Sequence, residues 1–123
     1  NETRKILRDE HIMVSPTTVR VPVVSCHSES VQVTCKKPFS LDQIRTLFSN
    51  ASGVVLQDYP TNNIYPMPIT AAGKNEVFVG RVRTDLNDPM TFHCWIVADN
   101  IRKGAATNAV QIAEYLKEKG IVG

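Results

Sequence analysis

Two runs of strand-forming residues, 76–83 and 91–98, stand on either side of the turn residues Asn87-Asp88-Pro89. Val, Phe, Thr, Trp and Ile dominate both runs, and their closeness predicts an antiparallel pair. A second constraint lies upstream, where Ser40 precedes Leu41-Asp42-Gln43-Ile44-Arg45-Thr46-Leu47-Phe48. Gln43 falls three residues after Ser40, the spacing of a capping box, so an amphipathic helix is predicted with Leu41, Ile44, Leu47 and Phe48 on its apolar face. Strands that flank such a helix define a sheet-plus-helix domain rather than a bundle.

The remaining segments fit that frame. Alternation and β-branched residues predict an extended strand from Val19 to near Ser25, with Pro22 marking an edge or a bulge. From His27 to Lys36, Val31 and Val33 alternate with Ser30, Gln32 and Thr34, as in a half-buried strand. Val54-Val55-Leu56 reads as a short buried strand after the breaker Ser52-Gly53. Pro60, Pro66 and Pro68, with Asn62 and Asn63 between them, predict a loop that cannot join a central ladder. Glu2 to Glu10 reads as the tail of a helix. At the other end, Asp99 or Asn100 caps a predicted helix over 105–119, with Ala109, Ile112, Ala113 and Leu116 as one stripe and Gly120 as its stop. The fold class expected is therefore α+β, a mostly antiparallel, mixed sheet with helices packed on one face.

The chain has 123 residues, 42% apolar and 21% charged, which suits one globular domain and no disordered or fibrous class. Its formal net charge is only +2, with both signs interspersed, so no basic stripe tracks phosphates and nucleic acid is excluded as the expected partner. No apolar run reaches the roughly 20 residues of a membrane span, and no leader pattern is present. Cys26, Cys35 and Cys94 are odd in number and lack framework spacing, which points to free thiols in a reducing, cytoplasmic compartment.

Chemistry concentrates in Thr17-Thr18-Val19-Arg20-Val21-Pro22-Val23-Val24-Ser25-Cys26-His27-Ser28-Glu29-Ser30. An arginine there can grip a carboxylate through two parallel hydrogen bonds, and a histidine can move a proton near neutral pH. Taken as residue types alone, Arg20 is more often a solvated or ion-paired surface residue and His27 a structural hydrogen bonder. Cys26-His27 and His93-Cys94 raise a metal site as a rival. Neighbours on a strand point to opposite faces and no CxxC spacing occurs, so no metal is expected.

Six segments carry a family resemblance. Glu2-Thr3-Arg4-Lys5-Ile6-Leu7, then Val19-Arg20-Val21-Pro22-Val23 and Cys26-His27-Ser28-Glu29-Ser30, resemble the ETxKIL, TxVRVPV and xHSxSV elements of the aspartate-β-semialdehyde dehydrogenases. Asp99-Asn100-Ile101-Arg102-Lys103-Gly104-Ala105-Ala106-Thr107-Asn108-Ala109-Val110-Gln111-Ile112-Ala113-Glu114 is similar, almost residue for residue, to that family's DNLRKGAAxNAVQIAE helix. Val79-Gly80-Arg81-Val82-Arg83-Thr84-Asp85 and Tyr65-Pro66-Met67-Pro68 look like its VGRIRxD strand and YPxP loop. Many members have Gly where this chain has Cys26.

The resemblance implies a semialdehyde dehydrogenase dimerisation-domain-like fold, with residues 1–123 a single C-terminal domain and the dinucleotide-binding domain lying before Asn1. It implies that Arg20 binds the substrate carboxylate, His27 is the acid/base catalyst and Asn100 lies near the nicotinamide of NADP. It further implies aspartyl phosphate and aspartate semialdehyde as substrates, a homodimer packed through the VGRVRTD sheet, and a role in the biosynthesis of lysine, threonine and methionine. The family's glycine-rich nucleotide turn and its SNCT nucleophile segment are not found among these residues, and none of the three cysteines matches the nucleophile motif. The chain alone is thus expected to be inactive. A pure dimerisation module and a related acyl-phosphate reductase are the alternatives, and the VRVPV and DNxRKGAA elements argue against the second.

Overall fold

A computed structural model describes residues 2–122. Its elements run α1 (Glu2–Leu7), β1 (His27–Thr34), α2 (Leu41–Asn50), β2 (Val54–Leu56), a 3-10 turn (Pro60–Asn62), α3 (Pro68–Ala71), β3 (Val77–Thr84), β4 (Thr91–Ala98), a π turn (Arg102–Ala106) and α4 (Thr107–Glu118). The four strands lie in the order β1-β4-β3-β2. β4 is antiparallel to both β1 and β3, whereas β2 runs parallel to β3. This mixed, mostly antiparallel sheet is the α+β architecture expected from the sequence, but its helices do not share one face as expected: α2 packs on one side and α3 on the other.

The residues chosen for α2 explain its place. Ser40 Oγ accepts the Gln43 N–H at 3.2 Å, and the Gln43 side chain accepts the Ser40 N–H at 2.9 Å, so the predicted capping box forms. Leu41, Ile44 and Phe48 then face the sheet and pack with Val31, Val33, Val79, Val82 and Phe92 in the main core. Leu47 does not join them and is 67% exposed. At 3.6 residues per turn it lies about a quarter of a turn off the mean direction of the other three, on the flank away from the sheet. The other face of the sheet carries a smaller cluster of Cys26, Ala71, Phe78 and Val97, so α3 lies opposite α2.

A bulge shapes β3. Gly80 pairs with Trp95 and Arg83 with His93, leaving Arg81 and Val82 together opposite Cys94. Arg81 takes the left-handed conformation, with φ 56°. Gly80 beside it cannot carry a side chain, because a Cβ there would sit 2.1 Å from the Gln57 carbonyl oxygen and 2.6 Å from Pro66 Cδ. The proline-rich loop therefore lies directly on the sheet.

Three further expectations are corrected. Residues 19–25 form no strand: they run irregularly, with bends at Pro22, Val24 and Ser25, and are mostly exposed, with Val24 fully solvated, and no ladder partner is present among the described residues. Alternation describes a strand's faces but supplies no neighbour, Pro22 donates no hydrogen bond, and the Val23 N–H turns back to Val21 O at 2.9 Å. The first helix stops at Leu7 rather than Glu10, since Arg8 enters the left-handed region at φ 52°. The last helix starts later than Ala105, which is itself non-helical at φ −141° and ψ −107°. Its C-terminus is as expected: Gly120 at φ 65° lets the Gly120 and Ile121 N–H groups reach Lys117 O and Leu116 O, a Schellman closure. Of its apolar stripe, Leu116 is half-buried while Ala109, Ile112 and Ala113 are exposed.

Candidate functional site

The register of the β1–β4 ladder assembles the site. His27, the first residue of β1, pairs with Ala98, the last residue of β4. Asn100 follows two residues after Ala98, so His27 and Asn100 lie at one end of the sheet although they are far apart in the chain. His27 is exposed and Asn100 half-buried. Arg20 is exposed in the unpaired segment that leads into β1, seven residues before His27, and no ladder fixes it there.

Each sheet-end residue follows a buried one. Cys26, 5% exposed and at φ 75°, donates from Sγ to the Pro68 carbonyl at 3.4 Å. Asp99, 6% exposed, accepts the Gly73 N–H through Oδ2 at 2.8 Å and the Ile101 N–H through Oδ1 at 3.1 Å. The Gly73 N–H is the main reason its carboxyl is held below the usual carboxylate range. Asp99 O also accepts from the Arg102 and Lys103 N–H groups, which opens the kinked helix as the cap foreseen at 99 or 100. Neither anchor was assigned a part in the site from the sequence. Asp99 was visible as a cap, but nothing local signals that Cys26 is buried.

Beyond this end, the face of the sheet that carries α3 bears a shallow groove between the loop Tyr65–Pro68 and the strand residues Ser30, Arg81 and Trp95. Trp95 Nε1 donates to Pro66 O at 3.1 Å, and the Arg81 guanidinium stands 5.8 Å from the Tyr65 ring centre. Along β1 this face shows Ser28, Ser30, Gln32 and Thr34, all exposed. Two clusters raised by the sequence have other employment. His93 Nε2 meets Asp85 Oδ2 at 2.7 Å, while Cys94 turns into the α2 core, where burial pushes its thiol up. Among the described residues, no three His, Cys, Asp or Glu side chains come together as a metal site, and no helix is long and apolar enough to cross a membrane.

A mixed four-stranded sheet with helices on both faces and polar candidates at one end defines an α+β domain of the sheet-and-helix class. The chain belongs to the semialdehyde dehydrogenase dimerisation-domain family, whose model matches residues 1–103. It is 54% identical over 121 residues to an aspartate-semialdehyde dehydrogenase of Aquifex aeolicus, covering 98% of this chain and 36% of that protein. The same identity holds over 119 residues with the enzyme of Legionella pneumophila, covering 96% and 34%. Among solved structures, aspartate semialdehyde dehydrogenase II from Vibrio cholerae complexed with ASA superposes with a TM-score of 0.88 at 45% identity, over 95% of this chain and 34% of that one. The chain thus spans about a third of the length of these relatives.

Proposed function

We propose that the chain is the substrate-binding and dimer-forming C-terminal part of an NADP-dependent aspartate-semialdehyde dehydrogenase. The observation that carries this reading is the pairing of His27 with Ala98, which sets the candidate acid/base beside the candidate cofactor neighbour Asn100. The relatives' names supply aspartate semialdehyde as the substrate; in our reading the reaction interconverts it with aspartyl phosphate, with release or uptake of phosphate, through a thioester on a cysteine outside these residues.

In that reaction Arg20 holds the substrate α-carboxylate through two parallel hydrogen bonds, fixing its orientation as well as its position. His27, exposed at the start of β1, takes the proton of the attacking thiol and returns one to the tetrahedral oxygen. The half-buried Asn100 carboxamide offers an acceptor and a pair of donors, which fits the carboxamide of a nicotinamide ring. NADPH, held mainly by residues outside this chain, would supply the hydride. The exposed polar residues of β1 on the α3 side of the sheet, with the half-buried Trp95 beside them, support a homodimer of the isologous type. Three free cysteines fit the reducing cytoplasm.

The test is steady-state kinetics of the full-length protein that carries this segment, with sedimentation of the 123-residue chain alongside. Arg20→Ala is expected to raise the apparent KM for aspartate semialdehyde, and His27→Ala to lower kcat, each by about 100-fold or more. The chain by itself is expected to sediment as a dimer and to show no turnover. Wild-type kinetics in both variants would remove the site assignment.

A further inference from the structure

Both residues that immediately precede the proposed site residues are buried, and both are tied to the same short helix. Cys26, before His27, reaches the carbonyl of Pro68, the first residue of α3, at 3.4 Å. Asp99, before Asn100, holds the N–H of Gly73, two residues past the end of α3, at 2.8 Å. Between these two anchors Ala71 is fully buried and packs with Cys26, Phe78 and Val97. The helix is itself held down: Pro68 starts it, Thr70 Oγ1 donates to Met67 O at 3.0 Å, and Trp95 binds the Pro66 carbonyl just before it.

A planar peptide bond passes this anchoring on. Once Cys26 is fixed, the backbone nitrogen of His27 is fixed with it, and the same holds from Asp99 to Asn100. Cys26 stands at φ 75°, a region that residues with a Cβ seldom occupy, and burial of its side chain under α3 keeps it there. Without that contact the strap from residue 8 to residue 25 would lose its anchor where it enters β1.

We propose that α3 is a clamp that sets His27 and Asn100 relative to each other, with Cys26 and Asp99 as its positioning residues. This rests on the roles given above to His27 and Asn100. Cys26 tunes the acid/base side and Asp99 the cofactor side, so the two anchors act on different kinetic constants of one reaction.

The experiment is kinetics and pH profiles of the full-length protein with Cys26→Ala, Cys26→Ser, Asp99→Asn and Asp99→Ser, and with His27→Ala as reference. Cys26→Ala is expected to lower kcat about tenfold and to displace the pH limb that His27→Ala abolishes, with KM for NADPH unchanged. Cys26→Ser keeps a donor for Pro68 O and is expected to restore most of that kcat. Asp99→Asn is expected to raise KM for NADPH about five-fold with a smaller effect on kcat. Asp99→Ser retains a short cap for the helix but cannot reach Gly73, so it gives the same answer if the Asn variant fails to fold. The clamp is overturned if Cys26→Ala and Asp99→Ser lower thermal stability while kcat, KM and the pH profile stay at wild type. A His27→Ala protein of full activity sinks the functional reading instead, and so separates the two failures.

Discussion

Arg45 donates from Nε to Asp58 Oδ2 at 2.9 Å, directly beneath the bulge of β3. The bulge removes Val82 from the ladder, and this pair takes over both of its backbone groups: Asp58 Oδ1 accepts the Val82 N–H at 3.3 Å, and the second Arg45 nitrogen donates to Val82 O at 3.0 Å. The Asp58 side chain is only 4% exposed, so removing it strips the Arg45 Nε–H and the Val82 N–H of their acceptor. Asp58→Ala is expected to destabilise the chain by about 3 kcal/mol, read from the urea midpoint at unchanged slope. Asp58→Asn, which keeps one acceptor, is expected to cost less. Equal stability of Asp58→Ala and the parent would mean that the bulge holds itself.

Gly80 tests the contact between the proline-rich loop and the sheet. A methyl group there meets the Gln57 carbonyl oxygen at 2.1 Å, and backbone cannot swing aside as a side chain can. Gly80→Ala is therefore expected to destabilise by about 2 kcal/mol and to lift the loop off β3. Quenching of Trp95, whose indole N–H holds the Pro66 carbonyl, reports that lift. An alanine variant with parent fluorescence and stability would show that the loop yields freely.

What the sequence revealed and what it hid divide by range. The α2 cap, the β3–β4 pair and the Gly120 stop depend on residues within a few positions of each other, and each is legible in one dimension. The strand read over 19–25 failed because a ladder needs a neighbour, which alternation cannot supply. Leu47 was misplaced on the α2 face because an apolar stripe read from residue type is wider than the face that the sheet covers. For the site, motif blocks named Arg20, His27 and Asn100 separately. That His27 and Asn100 share a sheet end follows from the His27–Ala98 register, and the anchoring by α3 follows from contacts that cross the chain.

Acid should weaken the fold through two carboxylates. Asp85 is held below the usual carboxylate range chiefly by its hydrogen bond with His93, then by the Asn87 N–H, and Asp99 chiefly by the Gly73 N–H. A depressed folded-state pKa means that the unfolded chain takes up the proton first. The stabilisation is therefore present above the ordinary carboxylate pKa and is lost as pH falls through the lower folded value. Unfolding midpoints followed downward from pH 6 are expected to drop most steeply at and below the ordinary carboxylate range, about pH 4. Asp85→Asn should flatten that slope, and an unchanged slope would take Asp85 out of the account.

Thiol chemistry offers a direct probe of the two cores. Cys94 lies in the α2 core and burial pushes its thiol up, so little thiolate forms near neutral pH. Cys26 is buried under α3, while Cys35 is only half-buried at the end of β1. A neutral disulfide reagent added to the native chain is therefore expected to modify Cys35 first, with Cys26 and Cys94 reacting on the timescale of local or global opening. Peptide mass mapping against time gives the order. Because α3 is four residues long and α2 ten, Cys26 should open before Cys94, and Gly80→Ala should speed Cys26 more than Cys94 by loosening the loop that leads into α3. Equal rates at all three thiols would mean that the two faces of the sheet do not open separately.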